Sequence, residues 1–146
     1  MAYCIFIAKN IMEAEIEIDT KKERLDIDFI HAFITNSYWA KGREMDTMKT
    51  CIDNSLNFGV YLKNKQIGYG RLVTDYGQFA YIMDVFIDPD HRGKGYSKQL
   101  MKYIINLKEL SHVKLWRLAT RDAHGLYKQF GFRPVENSEK LMELLR

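Results

Sequence analysis

The spacing of hydrophobic and polar positions changes twice along this chain, and each change marks a new kind of element. Residues 13–18 alternate (Glu13, Ala14, Glu15, Ile16, Glu17, Ile18) and predict a strand with one wet face. Ile27, Ile30 and Ile34 recur at helical spacing and predict a helix over 26–34. A loop over 36–43 follows, then a second helix over 44–54 with Met45, Met48, Cys51 and Ile52 inward. The period then falls to two. Strands are predicted at 58–62, 67–73 and 79–87, joined by tight turns at 63–66 and 76–77, which makes an antiparallel meander. The third of these is apolar on both faces, which puts it in the middle of a sheet. Helical spacing returns over 96–110, with Leu100, Ile104 and Leu107 facing the sheet. A strand at 114–119 comes next. A short helix follows over 123–130, with Asp122 as its N-terminal cap and Gly131 as its C-terminal one. A last strand is predicted over 132–136. A helix crossing between two strands makes them parallel, right-handed neighbours. The pattern therefore predicts an α/β (mixed α+β) fold: a central, mostly antiparallel sheet with one parallel pair, flanked by about four helices.

Composition narrows the classes. The chain has 146 residues, 47% of them hydrophobic and 13% aromatic. That is enough to bury a core and too apolar for disorder. No repeat, low-complexity tract or linker interrupts it, and Pro89 and Pro134 both fall in loops, so one domain over 1–146 is expected. The net charge of +3 suits a small polyanionic ligand without requiring one, and is too small to argue for nucleic acid. Cys4 and Cys51 cannot build a disulfide framework and lack metal-ligand spacing, and the four histidines add no metal motif. The chain reads as reduced and cytoplasmic, with no metal. Residues 1–8 are apolar but have no basic flank and no cleavage site, so they are not read as a signal peptide; Met12 is an alternative start. No stretch reaches the roughly 20 apolar residues that span a bilayer, so no membrane partner is expected.

The chemistry concentrates where the strand at 79–87 runs into the helix at 96–110. Residues 88–97 read Asp-Pro-Asp-His-Arg-Gly-Lys-Gly-Tyr-Ser. The first turn of a helix has N–H groups without intrahelical partners, and its dipole makes that end partly positive. Glycines just before it let an anion approach the backbone, and Arg92 and Lys94 add full charge. The junction suits phosphates; the bland alternative is a glycine-containing turn. A Walker A loop is excluded because Gly95, not Ser or Thr, follows Lys94. A dinucleotide fingerprint is excluded because Lys98 stands where its third glycine belongs.

This segment resembles the pyrophosphate loop of the GNAT superfamily of acyl-CoA-dependent N-acyltransferases, which reads Arg/Gln-x-x-Gly-x-Gly/Ala after a strand and a proline turn. Arg92, Gly95 and Ser97 stand at its defined positions, Ser97 in place of Gly or Ala. Residues 120–133 resemble the family's C-terminal signature in Ala123, Tyr127, Gly131 and Phe132; Thr120 stands where many members carry an asparagine. The likeness runs from residue 60 onward. It implies a GNAT-like fold in which the parallel strand pair splays and the pantetheine arm lies in the opening. It also implies an N-acetyltransferase with acetyl-CoA (coenzyme A) as co-substrate, transferring to a primary amine by direct attack in a ternary complex. Neither cysteine lies in the cofactor segments, which weighs against an acyl-enzyme. The implied cofactor-binding residues are Arg92, Gly93, Lys94, Gly95, Tyr96 and Ser97 for the diphosphate, Val85 and Ile87 for the pantetheine amides, and Thr120, Ala123 and Tyr127.

Acyl transfer to an amine calls for a base, donors for the developing oxyanion and a proton donor for the departing thiolate. Tyr127 is the candidate for the last task; the alternative is a core tyrosine bonded to backbone. Asp84 interrupts an apolar strand and is the candidate base, its pKa expected to rise on burial. The alternative is a structural aspartate satisfied by backbone amides. Asp75, Asp122 and His124 are weaker candidates. The amide near Val85 is the candidate for polarising the carbonyl. Tyr38, Trp39 and Arg43 are the candidate acceptor-binding residues, against a solvated loop whose Trp39 plugs the core. The acceptor is a small-molecule or protein amine. A non-catalytic acyl-CoA-binding or sensor module is the second reading, and a homodimer stays open as an assembly.

Overall fold

The computed structural model describes residues 15–146. Cys4, the apolar run 1–8, Met12 and the first two residues of the strand predicted at 13–18 lie outside the described residues. Among the described residues five strands form one sheet in chain order: β1 (Glu17–Asp19), β2 (Leu56–Leu62), β3 (Lys65–Thr74), β4 (Phe79–Ile87) and β5 (Leu115–Arg117). The first four pair antiparallel, and β5 runs parallel to β4. Short turns explain the meander. Lys63 and Asn64 both take left-handed φ values, 49° and 65°, the twist a two-residue hairpin requires.

Helices cover the sheet with two separate apolar clusters. Helices α1 (Ile27–Ile34) and α2 (Met45–Asp53) bring Ile30, Ile34, Met48 and Ile52 against Tyr69 and Phe86. Helix α3 (Tyr96–Ile105) brings Leu100, Met101 and Ile104 against Phe58, Val60, Leu72, Ala80 and Ile82. The spacing of these positions on each helix puts one stripe inward. Met45, Cys51 and Leu107 are only half-buried, and Met101, absent from the predicted stripe, is fully buried. Asp26 caps α1, accepting from the Phe29 amide at 2.9 Å. Helix α3 carries the chain back so that β5 lies parallel to β4, as a crossover demands.

The C-terminal third departs from expectation in three places. Helix α3 ends at Ile105, and residues 108–110 form a separate 3₁₀ turn. Helix α4 (His124–Lys128) is not capped by Asp122: the Ala123 amide donates to Thr120 Oγ1 at 3.0 Å, while Asp122 sits exposed beside Arg121 at 3.4 Å. Gly131 does close α4, with φ 87° and the Phe132 amide bonded to the Tyr127 carbonyl at 3.3 Å. The last strand, predicted over 132–136, does not form. Pro134 removes an N–H that a ladder needs, and an Arg133–Glu136 ion pair at 3.1 Å spans the segment. Phe132 and Pro134 instead face Leu115 and Arg117 of β5 across an open cavity of about 740 Å³.

Candidate active site

The site begins with one extra residue in β4. Tyr69 pairs with Phe86 and Arg71 with Met83, so Gly70 of β3 stands opposite two residues, Asp84 and Val85. Such a bulge bends its strand and shifts the alternation of side chains. Ala80 and Ile82 point into the cluster under α3, whereas Asp84 and Phe86 meet residues on the α1–α2 side. Asp84 takes the extra position with φ 54°, a left-handed conformation that disfavours a residue with a Cβ by about 1–2 kcal/mol.

Three side chains hold the aspartate there. Arg71 Nε and Arg43 Nη1 each donate to Asp84 Oδ2 at 2.6 Å, and Trp39 Nε1 donates to Oδ1 at 3.0 Å. The carboxylate is fully buried. Burial by itself would raise its pKa, but the charge and hydrogen bond of Arg71, followed by those of Arg43, hold it below the usual carboxylate range. This reverses the expected direction. Side chains, not backbone amides, satisfy the group.

A fork opens between β4 and β5. Strand β5 pairs with β4 only through Phe79↔Leu115, Ala80↔Trp116 and Tyr81↔Arg117. Beyond those pairs lies a cleft of about 260 Å³, walled by residues 81–85 on one side and by Ala119, Thr120, Ala123 and Tyr127 on the other. Tyr38, Trp39, Arg43 and Asp122 complete its lining. Loop 36–43 is folded back onto α1 by local bonds. The Gly42 amide donates to the Thr35 carbonyl at 2.9 Å, Ser37 Oγ donates to the Ile34 carbonyl at 2.6 Å, and the Arg43 carbonyl bonds the His31 ring at 2.8 Å. Trp39 remains 40% exposed with its indole N–H on Asp84, so it borders the cleft and does not plug the core. Across the fork, the Arg121 amide donates to the Tyr38 hydroxyl at 3.0 Å, and the Arg121 guanidinium lies 3.7 Å from the centre of that ring.

Tyr127 lies at the base of the fork, 9% exposed and packed edge-on against Phe132 at 6.0 Å. Burial, with a smaller contribution from Tyr38, pushes its phenol up to about 12. No described residue hydrogen-bonds its hydroxyl.

The glycine turn follows β4 after one 3₁₀ turn, Pro89–His91. Gly93 and Gly95 have φ values of 76° and 78°, with open space where a Cβ would stand, and Gly95 occupies the N-cap position of α3. Arg92 Nε donates to the Ile87 carbonyl at 3.0 Å, which anchors the turn to the end of β4. Lys94 is exposed, Ser97 half-buried and Tyr96 buried.

Of the other candidates, Val85, Thr120 and Ala123 line the fork, whereas Ile87 is buried in the cluster under α3. His124 borders a neighbouring cavity of about 280 Å³ that shares Tyr127 with the fork. Asp75 lies in the β3–β4 turn, accepting from the amides of Phe79, Gly77 and Gln78, which lower it to about 2. Among the described residues no group of His, Cys, Asp and Glu could hold a metal ion. Sequence reasoning missed Arg71 and Arg121. A lone arginine in apolar β3, one strand from a lone aspartate in β4, was the available signal for Arg71; Arg121 carried none.

Comparison with known proteins gives a consistent result. The model of the acetyltransferase (GNAT) domain matches residues 53–134. A crystal structure of a Xanthomonas campestris pv. campestris protein assigned to the GNAT acetyltransferases is 38% identical, with a TM-score of 0.87, over 90% of this chain and 94% of that one. A Gibberella zeae protein assigned as an acetyltransferase is 26% identical over 86% of this chain and 83% of its own length. The peptidyl-lysine N-acetyltransferase YjaB of Salmonella typhimurium is 29% identical over 80% of this chain and 75% of its own length.

Proposed function

Because the chain belongs to the GNAT acetyltransferase family, we propose that it is an N-acetyltransferase moving an acetyl group from acetyl-CoA to a primary amine within a ternary complex. The observation that carries this is the fork between β4 and β5, with Tyr127 at its base and the Gly93–Gly95 turn at the end of the same strand. The turn binds the diphosphate. Two left-handed glycines, the N-terminal end of α3, and the charges of Arg92 and Lys94 suit an anion. Beyond Tyr81 the outer side of β4 has no strand partner among the described residues, so an extended pantetheine arm adds there as a strand does. An amide near Val85, at the bulge, polarises the thioester carbonyl.

Tyr127 assists the leaving group by donating a hydrogen bond. With its phenol at about 12, it stays protonated at neutral pH. Thiols titrate near 8.5, so the phenol stabilises the departing thiolate without surrendering its proton. Asp84 is assigned to positioning. A carboxylate held below its usual range would take a proton from a lysine-like ammonium at a cost above about 9 kcal/mol, whereas losing that proton to water at pH 7 costs about 4–5 kcal/mol. The clamp around Asp84 keeps the bulge in place and holds loop 36–43 against it.

Calorimetry with acetyl-CoA, followed by thiol release on adding a panel of amines, tests the proposal. Micromolar association and amine-dependent thiol release are expected, and no association with well-folded protein would overturn it. The engagement of Asp84 by three donors favours one second reading, an acyl-CoA-binding module without turnover. Tight association with no thiol release from any amine would establish that reading instead.

A further inference from the structure

Charge in the fork discriminates among amines. Arg43 and Arg71 share the single carboxylate of Asp84, and two guanidinium groups against one carboxylate leave one net positive charge on the inner wall. Asp122, at the lining, is matched by Arg121 at 3.4 Å. No carboxylate of the lining is therefore left to receive a second ammonium. Of the two inner arginines, Arg43 borders the cleft; its Nη1 is committed to Asp84, and Nε and Nη2 have no protein partner among the described residues. A guanidinium edge of this kind binds a carboxylate in preference to other anions of less matching shape.

We propose that the acceptor is a small α-amino acid whose carboxylate is held by the open edge of Arg43, an inference that rests on the acetyl-transfer reading above. Size agrees with it. The fork encloses about 260 Å³, part of which the pantetheine arm takes, and the Tyr38–Arg121 contact bridges its two loops, so the space left suits a compact molecule. Nucleophilicity agrees as well. Pairing the carboxylate with arginine removes its hold on the neighbouring ammonium, which then titrates like the α-amino group of a peptide, at about 7.7–8.0. Roughly one such amine in ten is neutral at pH 7, against about one lysine ε-amine in 2,500. That matters in a fork whose lining carboxylates are both ion-paired. The ammonium gives one proton to solvent and its nitrogen bonds the acetyl carbon. The carbon–sulfur bond breaks, and the second nitrogen proton passes through water to the departing thiolate, leaving the N-acetyl amino acid and the free thiol of coenzyme A.

The test measures thiol release from acetyl-CoA with glycine, alanine and serine, with their carboxamides, with Nα-acetyl-lysine amide and with spermidine. Free amino acids are expected to show at least a tenfold higher kcat/KM than their carboxamides. Arg43→Gln should raise KM for the amino acids about tenfold more than for the carboxamides, while Arg43→Lys retains part of the preference. Acetyl-CoA affinity, measured on each variant, reports whether the fork is intact. Equal rates with the carboxamides, preference for the lysine amide or spermidine, or release with other amines but with no amino acid would each overturn this inference alone, whereas acetyl-CoA binding with no release from any amine would overturn the acetyl-transfer reading as well. Absence of acetyl-CoA binding would overturn the acetyl-transfer reading and this inference with it.

Discussion

Asp84 concentrates the residue-scale physics. It combines an unfavourable backbone conformation, full burial and two ion pairs. Removing one partner from such a cluster leaves buried charge uncompensated, which typically costs 3–5 kcal/mol. Asp84→Asn should therefore lower unfolding free energy by about 3 kcal/mol or more, read from denaturant midpoints at constant slope. The same cluster sets an acid limit. Because the folded pKa lies below the unfolded value near 3.9, its stabilisation is present above that value and is lost as pH falls through the folded pKa. Wild-type stability should drop more steeply below pH 4 than that of the Asn variant. Tyr127 offers a cleaner functional test, since its hydroxyl has no partner to lose among the described residues. Tyr127→Phe should reduce kcat about 10- to 100-fold, the size of a hydrogen bond to a charged group, with acetyl-CoA affinity unchanged in calorimetry.

At the scale of elements, what decides geometry is where each one starts and stops. Helix α3 starts at Gly95 because that residue adopts φ 78°, where a side chain is strained even though open space surrounds it. Gly95→Ala should cost about 1–2 kcal/mol of stability and weaken acetyl-CoA binding severalfold, which thermal melts and calorimetry would separate. The amide of Ala123, the N-cap residue of α4, donates to the hydroxyl of Thr120 and not to Asp122. Thr120→Val should therefore destabilise by about 1 kcal/mol, and Asp122→Ala should lie within about 0.5 kcal/mol of wild type in the same melts. Both residues fit the local sequence pattern of a cap. Three-dimensional geometry chose between them, because only Thr120 directs an oxygen at the amide of Ala123.

Over the whole molecule, two apolar clusters lie under separate helices, and the fork opens where β4 and β5 part. Little of that architecture depends on the far C-terminus. Met142, Leu144 and Leu145 are 96%, 76% and 82% exposed, so deleting residues 142–146 should leave the melting temperature within the shift expected of about 0.5 kcal/mol. The amino-acid sequence by itself determined the order of the elements from β1 to α4, though not the loss of a strand at 132–136 or the early end of α3. Helical and strand periods, the Asn64 and Gly77 turns, the glycine pair before α3 and the Gly131 stop each express a preference settled within a few residues. It also singled out Asp84 as a charge in an apolar strand. Only the tertiary structure decided what that charge does. The bulge depends on how β3 and β4 register, the clamp joins residues 41 and 13 positions apart, and the fork exists because β5 follows β4 for three pairs and no further. Propensity and periodicity act over one or two turns of chain, whereas register, ion pairing and strand divergence are settled by packing between segments distant in sequence, and there the direction of a buried group's pKa is decided too.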